Sequence, residues 1–223
     1  MKVAVVQFPG SNCDRDAFRA VCVALGLDCR LLWHKETSLD GFDAVILPGG
    51  FSYGDYLRCG AIARFSPIME AIIRFAGEGR RVLGICNGFQ VLCESGLLPG
   101  ALVRNDCMRF VCRDQSLQVE DSNGGFNTAH LGERLVLPIA HGEGNFRIGD
   151  EGLEKLRMNR QVLLRYIGSD SDGNPNGSLD NIAGIRNEEG NVYGMMPHPE
   201  RVVDSFHPNR DGIKVLQAFF AIS

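Results

Sequence analysis

The hydrophobic and polar positions of the first half of the chain fall into alternating strand-like and helix-like segments. Residues 2–8 form a short apolar run closed by Pro9-Gly10. Between Cys13 and Leu25, the side chains of Phe18, Val21, Cys22 and Leu25 recur at helical spacing. Asp28–Trp33 has strand character, and Ala44-Val45-Ile46-Leu47 is a compact apolar run stopped by Pro48-Gly49-Gly50. Ser66-Pro67 predicts a helix start, with serine as the cap and proline at the first helical position. Ile68, Ile72 and Phe75 would form the buried stripe of that helix. Arg81–Ile85 reads as the next strand, followed at once by a helix over Asn87–Glu94.

Strands that alternate with helices pair in parallel, with helices on both faces of the sheet. The run-like apolar strands agree, because parallel strands are buried on both sides. The expected class is therefore α/β, an open and mostly parallel sheet flanked by helices. The second half is richer in strands, predicted over residues 109–113, 134–140, 162–167, 182–186 and 192–196, and added antiparallel pairing is expected there. Residues 211–222 close as an amphipathic helix with Ile213, Leu216, Phe219 and Phe220 inward. No internal repeat or low-complexity linker interrupts the 223 residues, so residues 1–223 read as one domain.

In open sheets of this kind, sites form beyond the carboxyl ends of the strands. That rule selects residues 9–14, 48–61 and 86–90.

Composition narrows the function by exclusion. Apolar residues make up 44% and charged residues 22% of the chain, an ordinary globular balance. A formal net charge of −4 and a pI near 5.7 give no sign of a nucleic-acid or anionic-membrane surface. No apolar run approaches the ~20 residues of a membrane helix. The apolar start at Met1-Lys2-Val3 is too short for a signal peptide and reads as a first strand. The eight cysteines, at positions 13, 22, 29, 59, 86, 93, 107 and 112, are scattered, and none forms a Cys-x-x-Cys pair. Neither a disulfide framework nor a structural zinc site is expected from them. Most are expected to be small buried apolar residues in a reducing cytoplasm.

One cysteine stands apart. Gly84-Ile85-Cys86-Asn87-Gly88 places Cys86 between a predicted strand and a predicted helix, in the thiol version of the nucleophile elbow. Glycines on both sides let strand and helix pack closely, and the turn holds the side chain out at a helix start, where the dipole favours an anionic sulfur. The N–H of Asn87 then points where an oxyanion would form. A second donor should come from a neighbouring strand end, and Pro48-Gly49-Gly50 is placed for it, since glycine lets a backbone N–H approach a ligand.

A thiol nucleophile needs a base, usually a histidine oriented by a third group. Among the five histidines, at 34, 130, 141, 198 and 207, the His-x-acid patterns His141-Gly142-Glu143 and His198-Pro199-Glu200 stand as the candidate pairs. In extended chain, residues i and i+2 project to one side, so either carboxylate would hold its histidine. Spacing alone leaves both pairs open, although Pro197 and Pro199 stiffen the second.

Taken together, Gly84-Ile85-Cys86-Asn87-Gly88-Phe89-Gln90 and Pro197-His198-Pro199-Glu200 resemble the class I (triad) glutamine amidotransferases, whose sheet is flavodoxin-like. The resemblance narrows to the glutaminase subunits of phosphoribosylformylglycinamidine synthase. It does so through residues 8–14 (Phe-Pro-Gly-Ser-Asn-Cys-Asp), 49–58 (Gly-Gly-Phe-Ser-Tyr-Gly-Asp-Tyr-Leu-Arg), 138–144 (Pro-Ile-Ala-His-Gly-Glu-Gly) and 174–178 (Asn-Pro-Asn-Gly-Ser). Two departures stand out: Cys107 occupies a position where a hydroxyl residue is expected, and Asn145-Phe146 replaces a more usual Arg-Tyr or Arg-Phe.

The resemblance implies a triad of Cys86, His198 and Glu200. It also implies oxyanion N–H groups from Gly50 and Asn87, a part for Gln90 in holding glutamine, and a pocket-lining or partner-facing part for His141 and its neighbours. It implies two partners, a large synthetase subunit and a small bridging one. The chain has no Gly-x-x-x-x-Gly-Lys-Ser/Thr loop, so ATP and Mg²⁺ are expected on the synthetase subunit and no cofactor or metal on this chain. Asp170-x-Asp172-x-Asn174-x-Asn176 fails as a calcium loop, having Pro175 at the sixth position and Asn181 at the twelfth, and reads as a polar surface loop.

Overall fold

The computed structural model describes residues 1–120, 131, 134–168 and 173–221. Its strands are β1 (Lys2–Gln7), β2 (Asp28–Trp33), β3 (Ala44–Leu47), β4 (Arg81–Ile85), β5 (Ala101–Val103), β6 (Val111–Val119), β7 (Arg134–His141), β8 (Asn145–Arg147), β9 (Val162–Tyr166), β10 (Ile182–Arg186) and β11 (Val192–Met195). Its α-helices are α1 (Asp14–Arg19), α2 (Pro67–Gly77), α3 (Asn87–Glu94), α4 (Asp150–Met158) and α5 (Asp211–Phe220).

Nine strands form one sheet in the order β2-β1-β3-β4-β11-β10-β9-β6-β7. The pairs from β2 through β11 are parallel, and those from β11 through β7 are antiparallel. This is the α/β sheet expected, with its antiparallel strands in the second half. β5 and β8 pair separately. The central parallel strands are apolar through their interiors because both faces are covered. Val3, Ala4, Val5 and Val6 of β1 and Ala44, Val45, Ile46 and Leu47 of β3 are all at 0% exposure.

Several predicted elements shift. The first helix keeps its α-form only to Arg19 and continues as a π-turn over Ala20–Ala24. Its fully buried residues are Ala17, Ala20 and Val21, while Phe18, Cys22 and Leu25 pack only partly against the core. Ser66 does precede Pro67 at the start of α2, but it makes no side-chain cap. Its hydroxyl instead meets His34 Nδ1 at 3.2 Å and Tyr53 Oη at 2.9 Å.

The strand expected at 109–113 is a nine-residue strand beginning at Val111. Three elements lie outside the sequence expectations: α4, β5 and β8. α4 carries Asp150 and Glu151 in its first turn and Lys155 and Arg157 in its last, the charge order that suits a helix dipole. That pattern, with Leu153 and Leu156 buried, is the signal that marks it. In α5, Leu216, Phe219 and Phe220 are buried as expected, Ile213 only in part, and Ile222 lies outside the described residues.

All eight cysteines are free. Cys13, Cys29, Cys59 and Cys86 are buried, but Cys107 and Cys112 are exposed, against the expectation of buried filler. No helix among the described residues is long and apolar enough to cross a membrane.

Candidate active site

β4 ends at Ile85 and α3 begins at Asn87, leaving Cys86 alone at the corner with φ 51° and ψ −104°. A residue with a β-carbon is rarely held at positive φ, and such strain costs on the order of 1–3 kcal/mol. The surrounding bonds enforce it. Cys86 N–H donates to Met195 O at 2.7 Å, and its carbonyl accepts from Gln90 N–H at 3.2 Å. The flanking glycines make the corner possible. A Cβ on Gly84 would lie 2.6 Å from the Gly88 carbonyl carbon and oxygen, and one on Gly88 would lie 2.0 Å from Leu47 O. Helix α3 therefore rests directly on β4 and the end of β3.

The Cys86 side chain is 5% exposed and its Sγ–H points to Ala140 O at 3.7 Å. Beside it opens a cavity of about 220 Å³. Three loop regions supply most of its wall: Asn12 and Cys13, Gly50 and Phe51, and His198 and Arg201. Phe110, Cys112 and Ala140 of the antiparallel half close the other side. The three loops that the strand-end rule selected meet here through Asn12, Gly50 and Cys86, and the loop after β11 that carries His198 and Arg201, which the rule did not select, joins them.

His198 follows β11, anchored by its N–H to Pro138 O at 2.8 Å. Its Nδ1 lies 2.6 Å from Glu200 Oε1, and both side chains are 1% exposed. The carboxylate therefore fixes Nδ1 as the protonated nitrogen. Nε2 is buried with no hydrogen-bond partner of normal geometry, left for the sulfur chemistry. Burial alone would push the His198 pKa down, but the charges of Glu200 and then Cys86 outweigh it and raise the pKa well above 6.5.

The rival pair behaves differently. His141 is 3% exposed, with Nδ1 3.3 Å from Asn105 Oδ1 and Nε2 3.5 Å from Asn176 Nδ2. Burial, and then the neighbouring His198, lower its pKa to about 4. It is a neutral internal brace, not a partner-facing residue. The 174–178 turn shares that role. Asn176 and Ser178 are buried and donate to Gly144 O at 2.8 and 3.2 Å, so this part of the predicted surface loop packs inward. Asp170 and Asp172 lie outside the described residues.

Gly50 sits at φ +136°, and a Cβ there would lie 2.7 Å from Asn12 N, so only glycine fits. Asn87 directly follows the nucleophile, as an oxyanion donor must. Its side chain accepts from Ser52 N–H at 3.2 Å and donates to Gln90 Oε1 at 3.0 Å and Asp55 Oδ1 at 3.3 Å. Gln90 in turn donates to Glu143 O at 2.6 Å. Both side chains stitch loops together and stand outside the cavity wall.

Two residues escaped the sequence reading. Cys13 is 1% exposed, and Arg201 Nη2 donates to its sulfur at 2.9 Å. Ligand atoms of Cys13, His198 and Glu200 lie within 4.8 Å of one another, close enough for a metal. The guanidinium on the sulfur and the carboxylate on Nδ1 already occupy those groups, and a cation would have to displace both.

Comparison with known proteins agrees with the geometry. The family described as the CobB/CobQ-like glutamine amidotransferase domain matches residues 1–215. A chain in the structure of PurLQS from Thermotoga maritima is 43% identical over 99% of this chain and 97% of that one, with a TM-score of 0.86. Two more distant structures share the fold, both at 17% identity. A Thermoplasma acidophilum protein described as a candidate component of GMP synthase has a TM-score of 0.67, over 99% of this chain and 92% of that one. A glutamine amidotransferase of Thermotoga maritima has a TM-score of 0.57, over 90% and 76%. With a thiol at a strained elbow, a histidine–glutamate pair at its cavity and a family match across nearly its whole length, the chain belongs to the CobB/CobQ-like glutamine amidotransferases.

Proposed function

We propose that this chain is the glutaminase subunit of phosphoribosylformylglycinamidine synthase, hydrolysing glutamine to glutamate and ammonia for a partner that performs the ATP-dependent step of purine biosynthesis. The observation that carries it is the strained Cys86 elbow facing the same cavity as the buried His198–Glu200 pair. Its 43% identity to a chain of PurLQS supports the narrower assignment. We read residues 1–223 as one amidotransferase domain acting in the cytoplasm.

The chemistry follows from the groups present. His198 Nε2 takes the Cys86 thiol proton, and the sulfur attacks the side-chain amide carbon of glutamine. The N–H groups of Gly50 and Asn87 receive the oxyanion; one such donor is worth roughly 10²–10³ in rate. His198, its Nδ1–H held by Glu200, hands the proton it took up at Nε2 to the departing nitrogen, and ammonia leaves a glutamyl thioester. The same histidine then activates water to release glutamate, a general-base step worth about 10²–10⁴. Gln90 sits one helical turn beyond Cys86 and is our candidate for helping to hold glutamine, acting through its bonds to Asn87 and the Glu143 carbonyl rather than from the cavity wall.

Ammonia released into water protonates and is lost to the second reaction, so a synthetase subunit must dock over the site, with a small bridging subunit beside it. The mouth suits docking. Phe51 and Phe110 stand 6.4 Å apart at the cavity, 45% and 53% exposed, and Tyr56 and Leu57 of the 48–61 loop are exposed at 74% and 93%. ATP, formylglycinamide ribonucleotide and Mg²⁺ belong on the synthetase subunit in this reading.

The test is covalent labelling with a chloroketone analogue of glutamine, with the adduct mapped. Labelling at Cys86 is expected. A label elsewhere, or none in the assembled complex, would favour a different hydrolase or a silent binding subunit. In the complex, Cys86→Ala should abolish synthesis from glutamine while added ammonium still supports it.

A further inference from the structure

We infer that Cys13 and Arg201 form a positioning pair for the catalytic base, clamping the Nδ1 edge of His198 and tying its turn to the oxyanion loop. The inference rests on the reading of Cys86, His198 and Glu200 as the triad, and it concerns two residues that take no step in that mechanism.

The sulfur of Cys13 is fully engaged. Its S–H donates to Asn12 Oδ1 at 3.1 Å, and it accepts from Arg201 Nη2 at 2.9 Å, a separation ordinary for oxygen and close for the larger sulfur. It also meets the imidazole. A Cβ on Gly49 would lie 3.2 Å from Cys13 Sγ and 2.7 Å from His198 Cε1, so sulfur and ring edge come together over a residue without a side chain. Glu200 bounds that same edge at Nδ1.

Arg201 belongs to the three-residue turn Pro199–Arg201 that carries Glu200, and it reaches back to the sulfur from there. Cys13 in turn is bound to the oxyanion loop, its N–H donating to Gly49 O at 3.3 Å. The neighbouring Ser11 bridges Gly50, and Phe51 N–H donates to Gly10 O at 3.1 Å. One sulfur–guanidinium contact thus sets the distance between the base and the donor that receives the oxyanion. Misplacement of a catalytic group by about 1 Å costs up to roughly 10²-fold.

The groups facing His198 are Glu200 and Arg201 on its own turn, Cys13 before α1, Cys86 at the elbow and His141 at the end of β7. Cys13 is among those that help the ring keep its proton. Its loss therefore moves the alkaline limb of the glutaminase pH profile to lower pH.

The experiment uses the assembled synthase carrying Cys13→Ala, Cys13→Ser, Arg201→Met or Arg201→Lys, with intact sites counted by chloroketone labelling. Per labelled site, C13A and R201M should lose roughly 10–100-fold in kcat with KM little changed, and C13A should show the shifted alkaline limb. C13S and R201K, which keep a polar partner, should recover part of the loss. Wild-type kcat per labelled site in C13A and R201M, with an unmoved pH profile, would overturn the inference, as would a loss accounted for by unlabelled protein alone. If Cys86→Ala retains glutaminase activity, the triad reading itself fails, and that outcome is separate from the other two.

Discussion

His198 Nδ1 stands 2.6 Å from Glu200 Oε1 with both side chains 1% exposed, so the imidazole proposed as the base is held by a carboxylate that water does not screen. Glu200→Gln removes the charge while keeping the size. Burial then acts on the ring with only Cys86 and Cys13 to oppose it, and the His198 pKa falls. The expected result is a kcat for glutamine hydrolysis lower by roughly 10²–10⁴-fold, with the alkaline limb displaced to lower pH. Glutamate release measured across pH checks both. The sign for stability follows from the raised value. The pair contributes stability that is fully present below the unfolded histidine value of 6.5 and is lost as pH climbs through the higher folded value.

His141 carries the opposite sign. Its pKa of about 4 lies below the ordinary 6.5, so between those values the unfolded chain binds a proton that the folded chain refuses. Stability is intact above pH 6.5 and drains away as pH falls toward 4, by up to about 3 kcal/mol at 1.36 kcal/mol per unit. Urea midpoints at pH 7 and pH 4.5 test this. The wild-type midpoint should drop across the interval, and His141→Gln, which keeps a donor and an acceptor without a titrating ring, should drop less.

Gly88 is the tightest point of the elbow, where an added Cβ would lie 2.0 Å from the backbone oxygen of Leu47. Neither atom belongs to a flexible side chain, so Gly88→Ala must push α3 off β3 and carry Cys86 with it. A loss of about 3 kcal/mol in folding stability is expected, near the upper end for overpacking. The surviving folded protein should label more slowly with the chloroketone, because the thiol has moved relative to His198. Denaturant melts and labelling rates separate the two effects.

The parallel half and the elbow were legible because their signals are local. β3 and the interiors of β1 and β4 are apolar runs, and the glycines that allow the elbow sit two residues either side of Cys86. β6 was harder to read. Its core-facing positions include Gln115, 3% exposed, whose amide donates to Ile167 O at 3.1 Å and so hides the apolar alternation. Choosing His198 over His141 took the family resemblance, since both precede a glutamate by two residues. The difference between them is tertiary: one meets its carboxylate, the other meets Asn105. The Cys13–Arg201 contact joins residues 188 positions apart, and no local pattern can announce such a bond.

Asn176 gives the last prediction, because it braces the turn at residues 142–144 between β7 and β8. Its Nδ2 donates to Gly144 O at 2.8 Å and meets Tyr166 Oη at 3.3 Å, and its Oδ1 accepts from Ser178 N–H at 3.0 Å. The residue is 1% exposed, so Asn176→Ala leaves the buried Tyr166 hydroxyl short of a partner and costs about 1–3 kcal/mol. The loss should also reach the substrate. Gly144 follows Glu143, whose carbonyl holds Gln90 at 2.6 Å, and Gln90 holds Asn87 beside the nucleophile. Loosening that turn frees Gln90 while leaving the His198–Glu200 bond untouched. Asn176→Ala should therefore raise the KM for glutamine more than it lowers kcat, the reverse of the split expected for Glu200→Gln. Steady-state kinetics on the two variants in the same complex would show the contrast. A kcat loss with unchanged KM in Asn176→Ala would mean that this brace serves the base rather than the substrate.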